Sequence, residues 1–537
     1  MARAHVVGPS ALENDADVSL LRWLQARQGD ERPWLVFEQH TLRFCDVAPL
    51  ARRWAQTLAE AGVTAGDRVA IFFPNSPDFV GAFFGSQWLG ATAVPVPWPA
   101  TSLAADLPAG AKLLLETCRA KVVCGPERVE GHGWAVRSKP ADEPWAGAPV
   151  EGAAAFIQFS SGSTGRPRGA VISPRAAVLS ALAMAEGLGL TQDDVGVSWL
   201  PFFHDMGLVG VMLSSLAAGF PVHVLQPGEF LLRPSRWLEL CSKVRATMTV
   251  APNFAYELVL RRVRAPKELE LSRLRSMLNG SEPVHRATIE RFEAAFAPFG
   301  LRKGAVLPVY GLAENVLGVT FQAQGAPDAD LPLDGRLVPS VGAPLRGLEV
   351  AVRDEAGAVV DEGREGEVTV RGPTLMSGYF DDAESTAKAL RDGWLYTGDR
   401  GVLRGGRLHL TGREKELIIK MGRKFHPADI ERVVAEVADP PPNGVVAFSV
   451  DDAATNQEAL VVVVEQRRAS ETGLVDRIRG KVSAELGVMV DRIELVGAGA
   501  LPRTTSGKLR RKECTARYAK PSLPAPVAGP AETRSAP

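Results

Sequence analysis

A chain of 537 residues, 46% hydrophobic and 23% charged, is too long for one core and has the composition of a globular protein with two or more domains. Its net charge of −1 excludes general nucleic-acid binding driven by phosphate neutralisation. The cysteines Cys45, Cys118, Cys124, Cys241 and Cys514 are scattered and lack C-x-x-C spacing, so they imply free thiols of a reducing, cytoplasmic setting and no zinc site.

Met1 to Asp15 carries no apolar core of signal-peptide length. Asp67 to Phe73 predicts a strand, Pro74 to Pro77 a turn, Asp78 to Gly90 a helix and Ala93 to Val96 another strand. Such alternation predicts a layered α/β domain with mostly parallel sheets over residues 1–415. Residues 137–152, rich in Pro, Ala, Gly and Glu, predict a surface connection. The uncharged run Met206 to Gly228 is broken by Ser214, Ser215, Pro221 and His223, which favours a buried helix followed by a strand over a membrane span. After Glu416 the pattern starts afresh: strand Leu417 to Lys420, helix Pro427 to Val437, strands Gly444 to Val450 and Leu460 to Glu465, helix Leu474 to Leu486. A second, small α/β domain over 416–520 follows, with a disordered tail over 521–537. Net charge is −4 over residues 1–412 and +3 over 413–537, so the C-terminal part suits an anionic ligand or partner.

Between the apolar stretches Ala153 to Phe159 and Ala170 to Ile172 lies Ser160-Ser161-Gly162-Ser163-Thr164-Gly165-Arg166-Pro167-Arg168-Gly169. Glycines let the backbone turn and approach a ligand, hydroxyls and N–H groups can surround phosphate oxygens, and Arg168 supplies charge. The spacing is neither that of a P-loop NTPase nor the nucleophile elbow of a serine hydrolase.

This loop resembles the ATP-binding signature of the adenylate-forming superfamily of acyl-CoA synthetases, fatty acyl-AMP ligases and adenylation domains, and further matching segments recur in family order from about residue 30 to residue 512. Ser198 to Leu208, with His204-Asp205, is similar to the border of the acyl pocket, in wording closest to fatty acyl-AMP ligases. Asn279-Gly280-Ser281 resembles the adenine-contacting turn. Tyr310-Gly311-Leu312-Ala313-Glu314 resembles the segment that lays an aromatic ring against adenine and holds magnesium, with Ala313 in the acyl-AMP ligase form. Asp399 and Arg413 match the ribose-binding pair, Glu416 the interdomain hinge where aspartate is usual, and Lys508 the catalytic lysine of a C-terminal loop.

The resemblance implies ATP and Mg²⁺, the metal near Glu314 and Thr164, and a fatty or related carboxylic acid as substrate. It implies catalytic roles for Lys508, Glu314 and His204, with nucleotide contacts from Ser160 to Gly165, Arg168, Asn279 to Ser281, Tyr310, Gly311, Ala313, Asp399 and Arg413. The acyl group then passes to the phosphopantetheine of an acyl carrier protein, or to CoA. Fatty acyl-AMP ligases typically carry a long insertion after the Tyr-Gly-Leu-Ala-Glu segment that hinders the CoA-dependent step. Here only about twenty-five residues separate Glu314 from Ser340, so the acceptor stays open.

Overall fold

Short runs of Val, Ala and Ile, buried on both faces, build the two large sheets of the computed structural model. The structure describes residues 3–8, 19–99, 109–127, 134–160, 167–263, 268–325, 329–333, 336–420, 423–437, 442, 444–452, 457–466, 473–503 and 509–519. The chain divides into two compact units, Met1–Thr397 with Gly401–Leu410, and Gly398–Arg400 with Thr411–Pro537. The division at Thr411 falls ahead of the expected boundary at Glu416, and the expected tail over 521–537 lies outside the described residues.

In the first unit a seven-stranded sheet runs Gly378–Tyr379, Arg168–Ile172, Phe156–Ser160, Thr92–Pro95, Arg68–Ile71, Val122–Cys124, Ala135–Arg137. Its strands are parallel from Phe156–Ser160 onward and antiparallel at the Gly378–Tyr379 end. A nine-stranded sheet has a parallel centre of Val306–Gly311, Ser276–Asn279, Met248–Ala251, Gly196–Ser198, Val222–Val224 and Pro33–Val36, with antiparallel strands at both edges. One continuous apolar core includes residues of both sheets.

The helix Pro77–Trp88 shows how local sequence serves that core. Ser76 Oγ accepts the N–H of Phe79, Pro77 opens the first turn and Asp78 complements its dipole. The helix has no polar face, because Phe79, Val80, Phe83 and Phe84 are all inaccessible to solvent. Close approach to helix Phe44–Glu60 requires glycine at 81, where a Cβ would lie 2.3 Å from Trp54 Cδ1. The uncharged run after Met206 is a π-helix, Met206–Leu213, continued by the helix Ser214–Ala218 and the strand Val222–Val224. No helix among the described residues is long and apolar enough to cross a membrane.

In the second unit, Gly444–Asp452 pairs antiparallel with Gln457–Gln466, which pairs parallel with Arg492–Gly497. Alternation sends Val445, Ala447, Val462 and Val464 to one face, against Ile430, Val433, Ile478 and Val482 of the helices Pro427–Val437 and Leu474–Leu486. Val446, Phe448, Val461 and Val463 pack on the other face with Leu501 and Cys514. Both helices keep the boundaries the periodicity predicts.

Candidate active site

The strands Phe156–Ser160 and Arg168–Ile172 are antiparallel partners, with Ser160 opposite Arg168, so they deliver and recover the chain on either side of residues 161–166. Ser161, Gly162, Ser163, Thr164 and Gly165 lie outside the described residues. The next strand, Gly378–Tyr379, sets Tyr379 opposite Ala170, and the Phe380 N–H donates to Gly169 O at 2.7 Å. This register brings Tyr379 to Arg168, whose guanidinium carbon is 5.7 Å from the phenol ring centre. The Tyr379 hydroxyl donates to Glu314 Oε1 at 2.7 Å. Burial first, then the Glu314 charge, push the Tyr379 pKa up, so the phenol stays a donor at neutral pH.

Glu314 sits on a single 3₁₀ turn, Ala313–Asn315, at the end of the strand Val306–Gly311. Fully buried Asn315 fixes that turn, accepting from Thr374 Oγ1 at 2.7 Å and donating to Gly318 O at 2.7 Å. Met376 N–H donates to Glu314 O at 2.8 Å, and Val316 is held at φ 62° and ψ −58°, a strained conformation for a β-branched residue. Gly311 is needed there, because a Cβ would meet Leu317 O at 2.2 Å. Among the described residues no hydrogen bond reaches Glu314 Oε2, which leaves one hard oxygen donor for a cation.

Asn279 ends the strand beside Val306–Gly311, paired with Pro308. Its side chain is inaccessible to solvent; Nδ2 donates to Asn253 Oδ1 at 3.0 Å, while Oδ1 is buried without a partner. Such an orphaned acceptor suits a ligand donor. Gly280 follows, Ser281 turns the chain at φ 71°, and Tyr310 is buried on the neighbouring strand with Ala313 just beyond it.

The His204 segment is strapped down by side chains distant in sequence. Asn75 Nδ2 donates to Leu200 O at 2.9 Å and Asn75 Oδ1 accepts from Phe202 N at 2.8 Å, while Gln158 Nε2 donates to Phe203 O at 3.0 Å. Trp199 stacks on Phe230 with centroids 3.9 Å apart. His204 Nδ1 is 2.6 Å from Asp205 Oδ1, closer than the 3.4 Å from Met206 N, so the ring donates its Nδ1–H to Asp205 and presents Nε2. The π-helix begins immediately after Asp205, and the Ser214 N–H reaches back to Val209 O. Wide turns of this kind recur at functional sites.

In the second unit Arg413 Nε donates to Asp399 Oδ1 at 2.9 Å, and Asp399 is 7% exposed. Arg400 Nη1 donates to Glu414 Oε2 at 2.6 Å. Glu416 closes the 3₁₀ turn Glu414–Glu416 and pairs with Arg511. Lys508 lies outside the described residues, but the bridge of Arg503 with Leu509 brackets its segment.

Thus Glu314 and Arg168 come together through Tyr379, and Asp399 meets Arg413 directly. The sequence reading missed Tyr379, Asn75, Gln158, Asn315 and Arg511. Asn75 was legible only as part of a turn and Arg511 only as part of a basic run, and neither pattern names a partner.

The AMP-binding enzyme family matches residues 22–380, and the Disco-interacting protein 2-like AMP domain matches residues 415–526. The chain is 30% identical to the medium-chain-fatty-acid–[acyl-carrier-protein] ligase JamA of Moorena producens over 90% of this chain and 91% of that one. It is 31% identical to the long-chain-fatty-acid–AMP ligase FadD32 of Mycolicibacterium smegmatis, with 94% of each chain covered. A structure from work on fatty acyl-adenylate ligases of E. coli and L. pneumophila superposes with a TM-score of 0.84 at 32% identity, covering 94% of this chain and 98% of that one.

Proposed function

The chain belongs to the AMP-binding enzyme family, and on that premise we propose that it activates a fatty acid with ATP and passes the acyl group to the phosphopantetheine thiol of an acyl carrier protein. The observation that carries this reading is the Arg168–Tyr379–Glu314 cluster, which sets a guanidinium and a carboxylate beside the strands flanking residues 161–166. A carboxylate with one oxygen on a phenol and one open to a hard cation fits magnesium. Glu314, with Thr164, would hold Mg²⁺, which when bound offsets phosphate charge.

The acid arrives ionised, its pKa about 4 to 5 like that of glutamate, so no general base is needed. Its oxygen attacks the α-phosphorus of ATP, the bond from that phosphorus to the bridging oxygen breaks, and pyrophosphate departs. Arg168, the donors from Ser160 to Gly165, and Lys508 offset the charge that gathers on phosphorus. Asn279, Gly280, Ser281, Tyr310, Gly311 and Ala313 receive adenine, Asp399 and Arg413 the ribose, and His204, oriented by Asp205, borders the acyl pocket. The second unit serves as a lid turning about Glu416, first presenting Lys508 and then clearing the way for the thiol, which attacks the acyl carbon and releases AMP. Five free cysteines suit a reducing cytoplasm.

One observation favours CoA as acceptor instead. The interval from Glu314 to Ser340 is short, and its described part is the strand Gly318–Phe321 and the hairpin of Leu331–Leu333 with Arg336–Val338, which leaves no length for a long insertion. Single-turnover transfer from pre-made acyl-AMP decides between them. A holo-carrier should react faster than free CoA at equal concentration, and salt should slow the carrier reaction by screening the encounter. Faster transfer to CoA, with no acyl-carrier product, contradicts the carrier assignment.

A further inference from the structure

Glu416 is longer by one methylene than the aspartate expected at the hinge, and the structure shows where the extra length goes. Its Oε2 pairs with Arg511 Nη1, while Arg511 Nη2 donates to Glu431 Oε1 at 2.7 Å and Arg511 Nε to Ala447 O at 3.1 Å. Arg511 therefore joins the hinge turn, the helix Pro427–Val437 and the strand Gly444–Asp452 through one planar fork. Its side chain is 22% exposed and that of Glu416 30%, so the pair is partly open to solvent and to screening by salt. The same residue opens the helix Arg511–Ala519, directly after Arg510, whose N–H donates to Pro502 O at 2.9 Å. With the bridge of Arg503 to Leu509, these contacts close both ends of the segment that carries Lys508.

We propose that Arg511 is a positioning residue that ties the end of the Lys508 segment to the hinge turn through Glu416, so that lysine and hinge move as one piece. This rests on the adenylating function proposed above, with Lys508 as its lysine and Glu416 as its hinge. Glu431 anchors the fork to the fold, whereas Glu416 transmits its position. Aspartate at 416 would fall about 1.5 Å short of the guanidinium, the length of one carbon–carbon bond.

A double-mutant cycle tests the link. Glu416→Gln and Arg511→Gln should each slow acyl-AMP formation about tenfold, and the pair together no more than either alone, as for residues acting through one contact. Glu416→Asp should be slowed almost as much as Glu416→Gln, because reach rather than charge is lost. Arg511→Lys should recover part of the rate only while Glu416 is present. Glu431→Gln should lower the melting temperature more than Glu416→Gln does, yet slow the reaction less. Hydrogen exchange gives a readout independent of activity: amides of residues 509–511 should exchange faster in Glu416→Gln, a surface variant expected to fold. Multiplying effects, a parent-like rate in Glu416→Gln, or unchanged exchange at 509–511 would each overturn the link. A parent protein that forms no acyl-AMP would instead overturn the functional reading, and the exchange comparison would still decide whether Glu416 holds Arg511.

Discussion

The two units fix their polar groups by different means. In the first, Arg168, Tyr379 and Glu314 come from a strand, its antiparallel neighbour and the turn after a strand of the other sheet, and backbone pairing aligns them around one neutral hydroxyl. In the second, Asp399 with Arg413, and Arg511 with Glu416 and Glu431, are held by charge pairs. Ladder hydrogen bonds are insensitive to salt, whereas partly exposed ion pairs weaken with it. Backbone-aligned groups in the first unit and salt-sensitive pairs in the second suit the proposed division between an adenylating body and a moving lid.

The sharpest break of this comparison removes the second unit's contribution to chemistry. Lys508→Ala should cut acyl-AMP formation by a factor on the order of 10² to 10³, the usual cost of losing one transition-state charge donor, while ATP binding measured by calorimetry survives. A near-parental rate would refute the assignment. Next, Tyr379→Phe tests the neutral contact of the first unit. Loss of a hydrogen bond to a charged group costs roughly 1.5 kcal/mol or more, so the rate should fall about tenfold and the Mg²⁺ concentration for half-maximal rate should change. Equal Mg²⁺ curves for parent and variant would make Tyr379 a packing residue only. Tyr379→Phe should be slowed equally at low and high salt, whereas the Glu416 effect should shrink as salt screens the parent's own pair.

A smaller effect concerns stability. All ten tryptophans lie at or before residue 394, so their fluorescence reports the first unit. Asn75→Ala leaves Leu200 O and Phe202 N without their partner and should destabilise that signal by about 1–3 kcal/mol in a urea titration. An unchanged midpoint would show that the His204 segment does not depend on Asn75. The smallest expected effect is acidic. Asp30, bonded chiefly by Arg32 against an opposing burial cost, has its pKa lowered to about 2. A depressed carboxylate stabilises the fold fully above its ordinary pKa near 4, and that contribution is lost as pH falls through about 2. The tryptophan-detected urea midpoint should therefore drop between pH 4 and pH 2 less steeply in Asp30→Asn than in the parent, and identical slopes would contradict the pairing.

Legibility in the sequence followed the range of the interaction. The helices Pro427–Val437 and Leu474–Leu486 are readable because their apolar spacing is local. The strands that flank residues 161–166 are readable because their apolar runs are local as well. Tyr379 and Glu314 meet only because one strand pairs with Arg168–Ile172, a long-range event with no periodic trace. The π winding of Met206–Leu213 was hidden because a fully buried apolar run has the same composition whatever its pitch. Arg511 sits in a basic run, and charge runs are usually solvated; its burial depends on Glu416 and Glu431, far earlier in the chain.

Fatty-acid-dependent exchange of labelled pyrophosphate into ATP tests the central claim most directly, because it requires reversible acyl-AMP formation and no acceptor. With a panel of C2 to C18 acids and Mg²⁺, label should enter ATP only when a suitable acid is present, and Lys508→Ala should suppress it. ATP binding with no exchange for any acid would contradict the account and leave the protein a nucleotide-binding relative without the reaction.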